Sequence, residues 1–290
     1  MLALVALGTT LRVVGLLKTE DSGPINTILI YVGLPALIFT TVQPASVGAD
    51  LVEIPFIAWG VTLVAVLIAW LLGRAFRLPA PTAGAFILCA AFGNTGYIGY
   101  PLATALLGDT GLVRAIFYDV FGTVAAVLTV GILVAGEMGE HEGRINPLKE
   151  FLLFPPVIAL LAALLLRSVA VPVLVSDWLV ALSKLVVPLI MISVGLSLRP
   201  RSVRERLEIV GAAGAVKLLV VPLIAIAVGR LITPDSEVVS LLGLQAGMPS
   251  MMLSLVIGMR FKLDVDFIAS AILVTTVASV LTVPLLQLLV

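Results

Sequence analysis

Three features break the otherwise apolar runs of this 290-residue sequence with groups that could do chemistry. The first is Gly93-Asn94-Thr95-Gly96-Tyr97-Ile98-Gly99-Tyr100-Pro101, three glycines at a spacing of three followed by a proline. The second is Gln245-Ala246-Gly247-Met248-Pro249-Ser250, and the third is a pair of isolated charges, Asp119 and Lys217. A proline has no N–H and clashes one turn back, so Pro101 is expected to free the carbonyl of Tyr97, and Pro249 that of Gln245. Each also suits the first position of a new half-helix. Two such breaks in helices of opposite direction would bring two positive half-helix ends together. That arrangement attracts an anion, by about 0.3–1 kcal/mol per end and about 2 kcal/mol when partly buried. Gly93, Asn94, Thr95, Tyr97, Pro101, Gln245, Pro249 and Ser250 are therefore the candidate binding residues.

Asp119 and Lys217 admit several roles: a mutual ion pair, a contact from Lys217 to an anionic ligand, or an ion- or proton-carrying site at Asp119. Each also has a structural reading, Lys217 as a snorkelling or paired cation and Asp119 as a capped or Arg114-paired carboxylate. Lys184, one turn inside its apolar run, reads as snorkelling, and His141 lies in an acidic, solvated loop. Asp109, Asp264 and Asp266 read as helix-start residues.

The elements that position these groups follow from composition. The AVILMFWYC set makes up 61% of the chain against 12% charged residues, and the mean hydropathy is +1.22. A soluble domain of this size runs near half apolar and a quarter charged, which leaves an integral membrane protein. The 17 basic and 17 acidic residues cancel, so no net field favours nucleic acid. The single cysteine, Cys89, excludes a disulfide framework or a thiolate cluster, and one histidine removes the usual metal constellations. Neither a phosphate loop nor a Ser-His-Asp order is present. No catalytic residue, metal site or cofactor is expected, and the chain does not read as an enzyme.

Apolar runs bounded by charge, Gly and Pro predict ten spans, near 1–17, 24–42, 54–73, 81–107, 111–135, 150–167, 177–198, 208–230, 237–258 and 265–289. The first is short and reads as a helix lacking its first turn or two, without the basic lead of a signal peptide. Odd-numbered loops hold twelve of the seventeen Lys and Arg residues, including Arg144, Arg199, Arg201, Arg204 and Arg206. Even-numbered loops hold one each: Arg114, Arg167 and Arg230. The positive-inside rule then places the odd loops in the cytoplasm and both termini outside the inner (cell) membrane.

Self-similarity at a fixed offset divides the chain further. Thr123-Val-Ala-Ala-Val-Leu-Thr-Val130 reappears 153 residues later as Thr276-Val-Ala-Ser-Val-Leu-Thr-Val283. Leu34-Pro35 matches Val187-Pro188, Gly73-Arg74 matches Gly229-Arg230, and Pro101 matches Pro249, all near the same offset. The expected organisation is two five-helix repeats, 1–135 and 150–290, joined by a cytoplasmic loop at 136–149. Because five is odd, the second copy enters the membrane from the opposite side. Such inverted repeats place a substrate site near the midplane, between discontinuous helices. Pro35, Pro188, Pro222 and Pro284 read as packing kinks.

The 93–101 run resembles the GN-x-G-F-x-G-x-P element of the auxin efflux carrier family, the membrane transporters that include plant PIN exporters and bacterial organic-acid permeases. The resemblance extends to Leu34-Pro35-Ala-Leu, to Gln245-x-x-Met-Pro249, and to Val274-Thr-Thr276 with Ser279 and Pro284. It implies an all-α membrane fold of ten helices in two inverted repeats and a scaffold part made of spans 1, 2, 6 and 7. It also implies a transport part in which spans four and nine unwind at Pro101 and Pro249, with Asn94 near the substrate carboxylate. The short central loop fits a compact bacterial-type member.

The expected function is secondary transport of a small organic anion, a carboxylate or auxin-like acid, by alternating access. The expected partners are that anion, the bilayer, a proton or sodium ion, and a second copy in a homodimer, with no nucleic acid. Two alternatives stand beside it: a sodium- or proton-coupled symporter or antiporter with Asp119 as ion carrier, and a non-transporting membrane receptor.

Overall fold

A computed structural model describes all residues except 1, 47, 49, 141–145 and 198–205. His141, Arg144, Arg199, Arg201 and Arg204 lie outside the described residues. In chain order the helices are α1 (Leu2–Val13), α2 (Thr19–Val42), α3 (Asp50–Ala75), α4 (Ala80–Ala91), α5 (Gly99–Met138) and α6 (Pro147–Leu152). They continue with α7 (Pro155–Leu165), α8 (Val173–Ser197), α9 (Leu207–Ile232), α10 (Ser236–Ala246), α11 (Leu253–Arg260) and α12 (Val265–Gln287). Six of them, α2, α3, α5, α8, α9 and α12, are long and apolar enough to cross a membrane.

The runs expected at 81–107 and 237–258 are not continuous helices. The first is α4, a non-helical stretch at 92–98 and the start of α5; the second is α10 and α11 on either side of 247–252. Helix α5 in turn bends at Gly108, where φ is 67° and ψ −159°. Only glycine holds that conformation without strain. The bend leaves two arms, 99–107 and 109–138.

The chain forms two compact units. The first comprises Met1–Val47 and Leu152–Leu198, the second Gly48–Phe151 and Arg199–Val290. The first unit thus gathers the spans near 1–17, 24–42, 150–167 and 177–198, the grouping that the resemblance implies. Within it, α1 lies on the second half of α8 at a contact of small residues. A Cβ on Gly8 would sit 2.3 Å from the Ile192 carbonyl oxygen, and one on Gly195 would sit 2.2 Å from that of Val5. Glycine pairs of this kind let membrane helices touch backbone to backbone. The Thr9 hydroxyl donates to the Gly195 carbonyl at 3.1 Å, and Ser193 donates to Asn26 at 2.7 Å.

The second unit holds every candidate binding residue. Its centre is α4, where all residues from Ala83 to Ala91 are buried. A helix apolar around its whole circumference must be enclosed by its neighbours. Two polar clusters fix the helix starts of this unit. At one, Arg114 of α5 donates to Asp50 at the start of α3 (2.8 Å), to Asp235 at the N-cap of α10 (3.0 Å) and to Glu237 (3.1 Å). At the other, Asp264 caps α12 by accepting from the Phe267 N–H at 3.1 Å, and also accepts from Thr82 at 2.8 Å and from Arg206. Asp264 is thus a helix-start residue, as its position in the sequence indicates. Its partial burial raises the carboxyl's pKa, but the bonds from Thr82, Phe267 and Arg206 outweigh this and hold it below the ordinary carboxylate range.

Gly108→Ala is expected to lower stability by about 1–3 kcal/mol, the cost of forcing a side chain into that backbone region. Among the described residues nothing lies within 4 Å of the added methyl, so the loss is conformational. Gly211→Ala is the control: it too meets nothing within 4 Å, but it lies in helix and should be neutral or stabilising. Thermal unfolding in detergent compares the two. Because the folded pKa of Asp264 is depressed, its contribution is present above the unfolded value of about 4 and disappears as pH falls through the folded value. Asp264→Asn, which keeps a capping oxygen, should be less stable than wild type at pH 7, with the gap closing below about pH 4.

Candidate functional site at the crossing of two broken helices

The two non-helical stretches of the second unit pair with each other. Gly93 and Ser250 form an isolated antiparallel bridge, in which the Asn94 N–H donates to the Pro249 carbonyl at 2.7 Å and the Met251 N–H to the Phe92 carbonyl at 3.0 Å. The Ser250 hydroxyl donates to the Cys89 carbonyl at 2.7 Å, capping the end of α4, and its N–H donates to Thr275 Oγ1 of α12 at 3.0 Å. Helix ends leave carbonyls and N–H groups without partners, and lipid supplies none. The pairing and the Ser250 cap supply them here. Beyond the bridge, Asn94 closes a local turn: its Oδ1 accepts from the Tyr97 N–H at 3.2 Å, and its carbonyl accepts from Ile98 and Gly99.

Two buried charges flank this strand. Lys217, 1% exposed, donates from Nζ to the Ala246 carbonyl at 2.6 Å and lies against Gly93. A Cβ at Gly93 would be 2.9 Å from its Cε and 3.1 Å from its Nζ. Asp119, 5% exposed, accepts from the Thr95 hydroxyl and, at 2.7 Å, from the Tyr100 hydroxyl. Its Oδ2 would lie 3.0 Å from a Cβ at Gly96. Each glycine therefore gives a charged group access to the backbone. Both charges sit in wide π-helical turns, Asp119 in Tyr118–Val124 and Lys217 in Val216–Val220. The second has a local cause, since Pro222 cannot bond to the Leu218 carbonyl and crowds it. Such turns are frequent at functional sites because they aim a side chain away from the regular helical phase.

Gln245, on the last turn of α10, is fully buried, and among the described residues neither its Oε1 nor its Nε2 has a hydrogen-bond partner. Its amide lies against Gly99, where an added Cβ would be 2.2 Å from Oε1. A buried amide left without partners costs about 1–3 kcal/mol per group, so it is a group that a ligand can satisfy.

The structure brings Gly93, Asn94, Thr95, Pro249, Ser250, Gln245, Asp119 and Lys217 together around one crossing, with Tyr97 and Pro101 on the same stretch of chain. It corrects four expectations. Asp119 and Lys217 are not an ion pair, because each has other partners and no ion pair joins them. Arg114 pairs with Asp50, Asp235 and Glu237, and not with Asp119. The Gln245 carbonyl is not free, since it accepts from the Met248 N–H at 3.3 Å. Neither proline opens a half-helix: Pro101 is the third residue of α5, and Pro249 lies four residues ahead of α11. Tyr100, Thr275 and the Cys89 carbonyl join the site without having been among the candidate binding residues, although Tyr100 and Thr275 lie in stretches that carry the resemblance. Tyr100 lies inside the 93–101 motif, and Thr275 is the only fully buried threonine of α12.

A family profile described as membrane transport protein matches residues 1–287. The chain belongs to this family, the auxin efflux carrier-like transporters. It is similar to an uncharacterised transporter of Methanothermobacter thermautotrophicus, at 34% identity over 288 residues that cover 98% of this chain and 94% of the relative. It is also similar to an uncharacterised transporter of Methanocaldococcus jannaschii, at 33% identity over 294 residues covering 98% and 95%. As a member of a transporter family with long apolar helices, the protein is a multi-pass membrane protein embedded in the bilayer.

Tyr100→Phe deletes one hydroxyl and little volume, so its cost reports the bond to Asp119. In a double-mutant cycle with Asp119→Asn, the coupling measured by thermal unfolding should be about 1.5–3 kcal/mol, the range for hydrogen bonds to charged groups. Additive effects of the two changes would show that the pair does not interact.

Proposed function

We propose that the protein is a secondary transporter of a small organic anion, a carboxylate or auxin-like acid, working by alternating access. The substrate binds where the two broken helices cross. The observation that carries this is the backbone pairing of Gly93 with Ser250, with the Lys217 ammonium against the pairing strand and the unsatisfied Gln245 amide beside it. A cation with N–H groups to spare, an amide and the N-terminus of a half-helix are together suited to a carboxylate.

The finer architecture belongs to the same proposal: ten membrane helices in two inverted repeats, 1–135 and 150–290, with both termini outside and the odd loops cytoplasmic. The polar clusters at the helix starts support it. Asp50, Arg114 and Asp235 correspond, at offsets close to 153, to Arg206, Asp264 and Thr82. An Asp–Arg pair in one copy therefore recurs with its charges exchanged in the other. The first compact unit would serve as scaffold and the second as the transporting part.

Purified protein in liposomes, given labelled dicarboxylates and indole acids with and without pH or sodium gradients, tests the proposal. Flux of at least one member is expected. Neither binding nor flux of any, with folding confirmed, would reject the substrate class, and binding without flux would favour a receptor. Asn94→Ala and Gln245→Ala, each removing a polar group equivalent to one hydrogen bond of about 1.4 kcal/mol, and Pro101→Ala, which adds an N–H near the break, should each reduce transport by about tenfold or more without loss of insertion. Undiminished transport in all three would place the site elsewhere.

A further inference from the structure

Asp119 and Lys217 lie against opposite ends of one short non-helical stretch, the first at Gly96 and the second at Gly93. Among the described residues, neither has a counter-charge within ion-pair distance. The groups that face Asp119 are hydroxyls: Thr95 and Tyr100 donate to it, and Tyr97 and its neighbour Tyr118 are the other titratable groups near it. Helix α3 packs on this part of α5 through Ala58 and Trp59, whose indole N–H donates to the Phe121 carbonyl at 2.8 Å. Between Glu53 and Arg74, α3 carries no titratable residue. Asp119 is thus a buried carboxylate that hydroxyls orient and no cation neutralises.

The Thr95 hydroxyl has two acceptors in reach, Asp119 Oδ1 and the Gly93 carbonyl at 3.5 Å. With Asp119 ionised, Thr95 donates to the carboxylate. When hydronium from the open side gives its proton to Oδ1, one O–H bond forms on Asp119, one breaks in hydronium, and water is left. The new O–H can donate to Thr95 Oγ1, which turns its own proton to the Gly93 carbonyl. A proton at Asp119 is thereby felt at Gly93, the residue that pairs with Ser250 and touches Lys217. Charge gives the second reason. The two buried charges sum to zero, and an anion added at Lys217 leaves the site one negative charge in excess unless a cation enters with it.

We propose that Asp119 carries one proton with each substrate anion, so that transport is one-for-one anion–proton symport and is electroneutral for a monoanion. This rests on the transport reading above, and the test separates the two. The full chain in detergent, in weakly buffered solution with a pH dye, is titrated with malonate and with indole-3-acetate. One proton taken up per anion bound is expected, falling to none in Asp119→Asn whatever its affinity, and kept in Asp119→Glu. In liposomes with the membrane potential clamped at zero, an acid exterior should drive malonate accumulation towards tenfold per pH unit.

A wild type that moves none of the labelled dicarboxylates and indole acids across the membrane, these two probes included, removes the transport reading and this proposal with it. Flux of either probe with no proton taken up on binding removes this proposal alone. So does an Asp119→Asn protein that still takes up one proton per anion, or malonate accumulation that follows a sodium gradient at equal pH.

Discussion

A backbone inside a bilayer must find its hydrogen-bond partners within the protein, and a helix does this by itself only while it stays a helix. Two helices of this protein stop being helices in the middle of a long apolar run. What makes that tolerable is that they stop beside each other, so the donors and acceptors released at 92–94 meet those at 249–251. Much of the second unit can be understood as support for that exchange. Ser250 caps α4, Thr275 of α12 holds the Ser250 N–H, and α4 itself is buried from Ala83 to Ala91. Removing either broken segment would leave the other with groups that cost several kcal/mol each in lipid.

The same arrangement explains how two charges are held at the crossing. A carboxylate and an ammonium could have cancelled each other directly, which would have locked the strand between them. They are instead kept apart by the strand, and each is held by neutral groups: hydroxyls for Asp119, a carbonyl for Lys217. Glycines at 93 and 96 make room for both. The charges are therefore oriented without being consumed, a condition for acting on something that comes and goes.

How far this was legible in the sequence depends on the kind of signal. Apolar runs and their Gly–Pro interruptions placed the breaks at 93–101 and 245–250, because a proline acts on its own backbone wherever the chain goes. Asp119 and Lys217 stood out because charge is rare in such surroundings. Their partners did not, since Tyr100 meets Asp119 only after the chain has turned back at Gly108, and no period along the sequence records that return. The two prolines also misled about helix starts. Half-helices begin where hydrogen bonding resumes, and the local turn at Asn94 and the pairing at Pro249 set those points rather than the proline rings. The wide turns were invisible for another reason: an apolar helix with one extra residue per turn has the same composition as one without.

Those wide turns have a consequence for how such a chain can change. A π-helical turn amounts to one residue inserted into a helix without breaking it, and it rotates everything beyond by about 100°. In α5, Asp119 is the second residue of the turn at Tyr118–Val124, and the remainder of that turn separates it from the part of the arm that continues towards Met138. Gaining or losing a single residue there would leave Asp119 against its hydroxyls while turning the rest of the arm to a new face. Length changes, elsewhere disruptive in a packed helix, offer this site a way to re-aim its surroundings while leaving its chemistry in place.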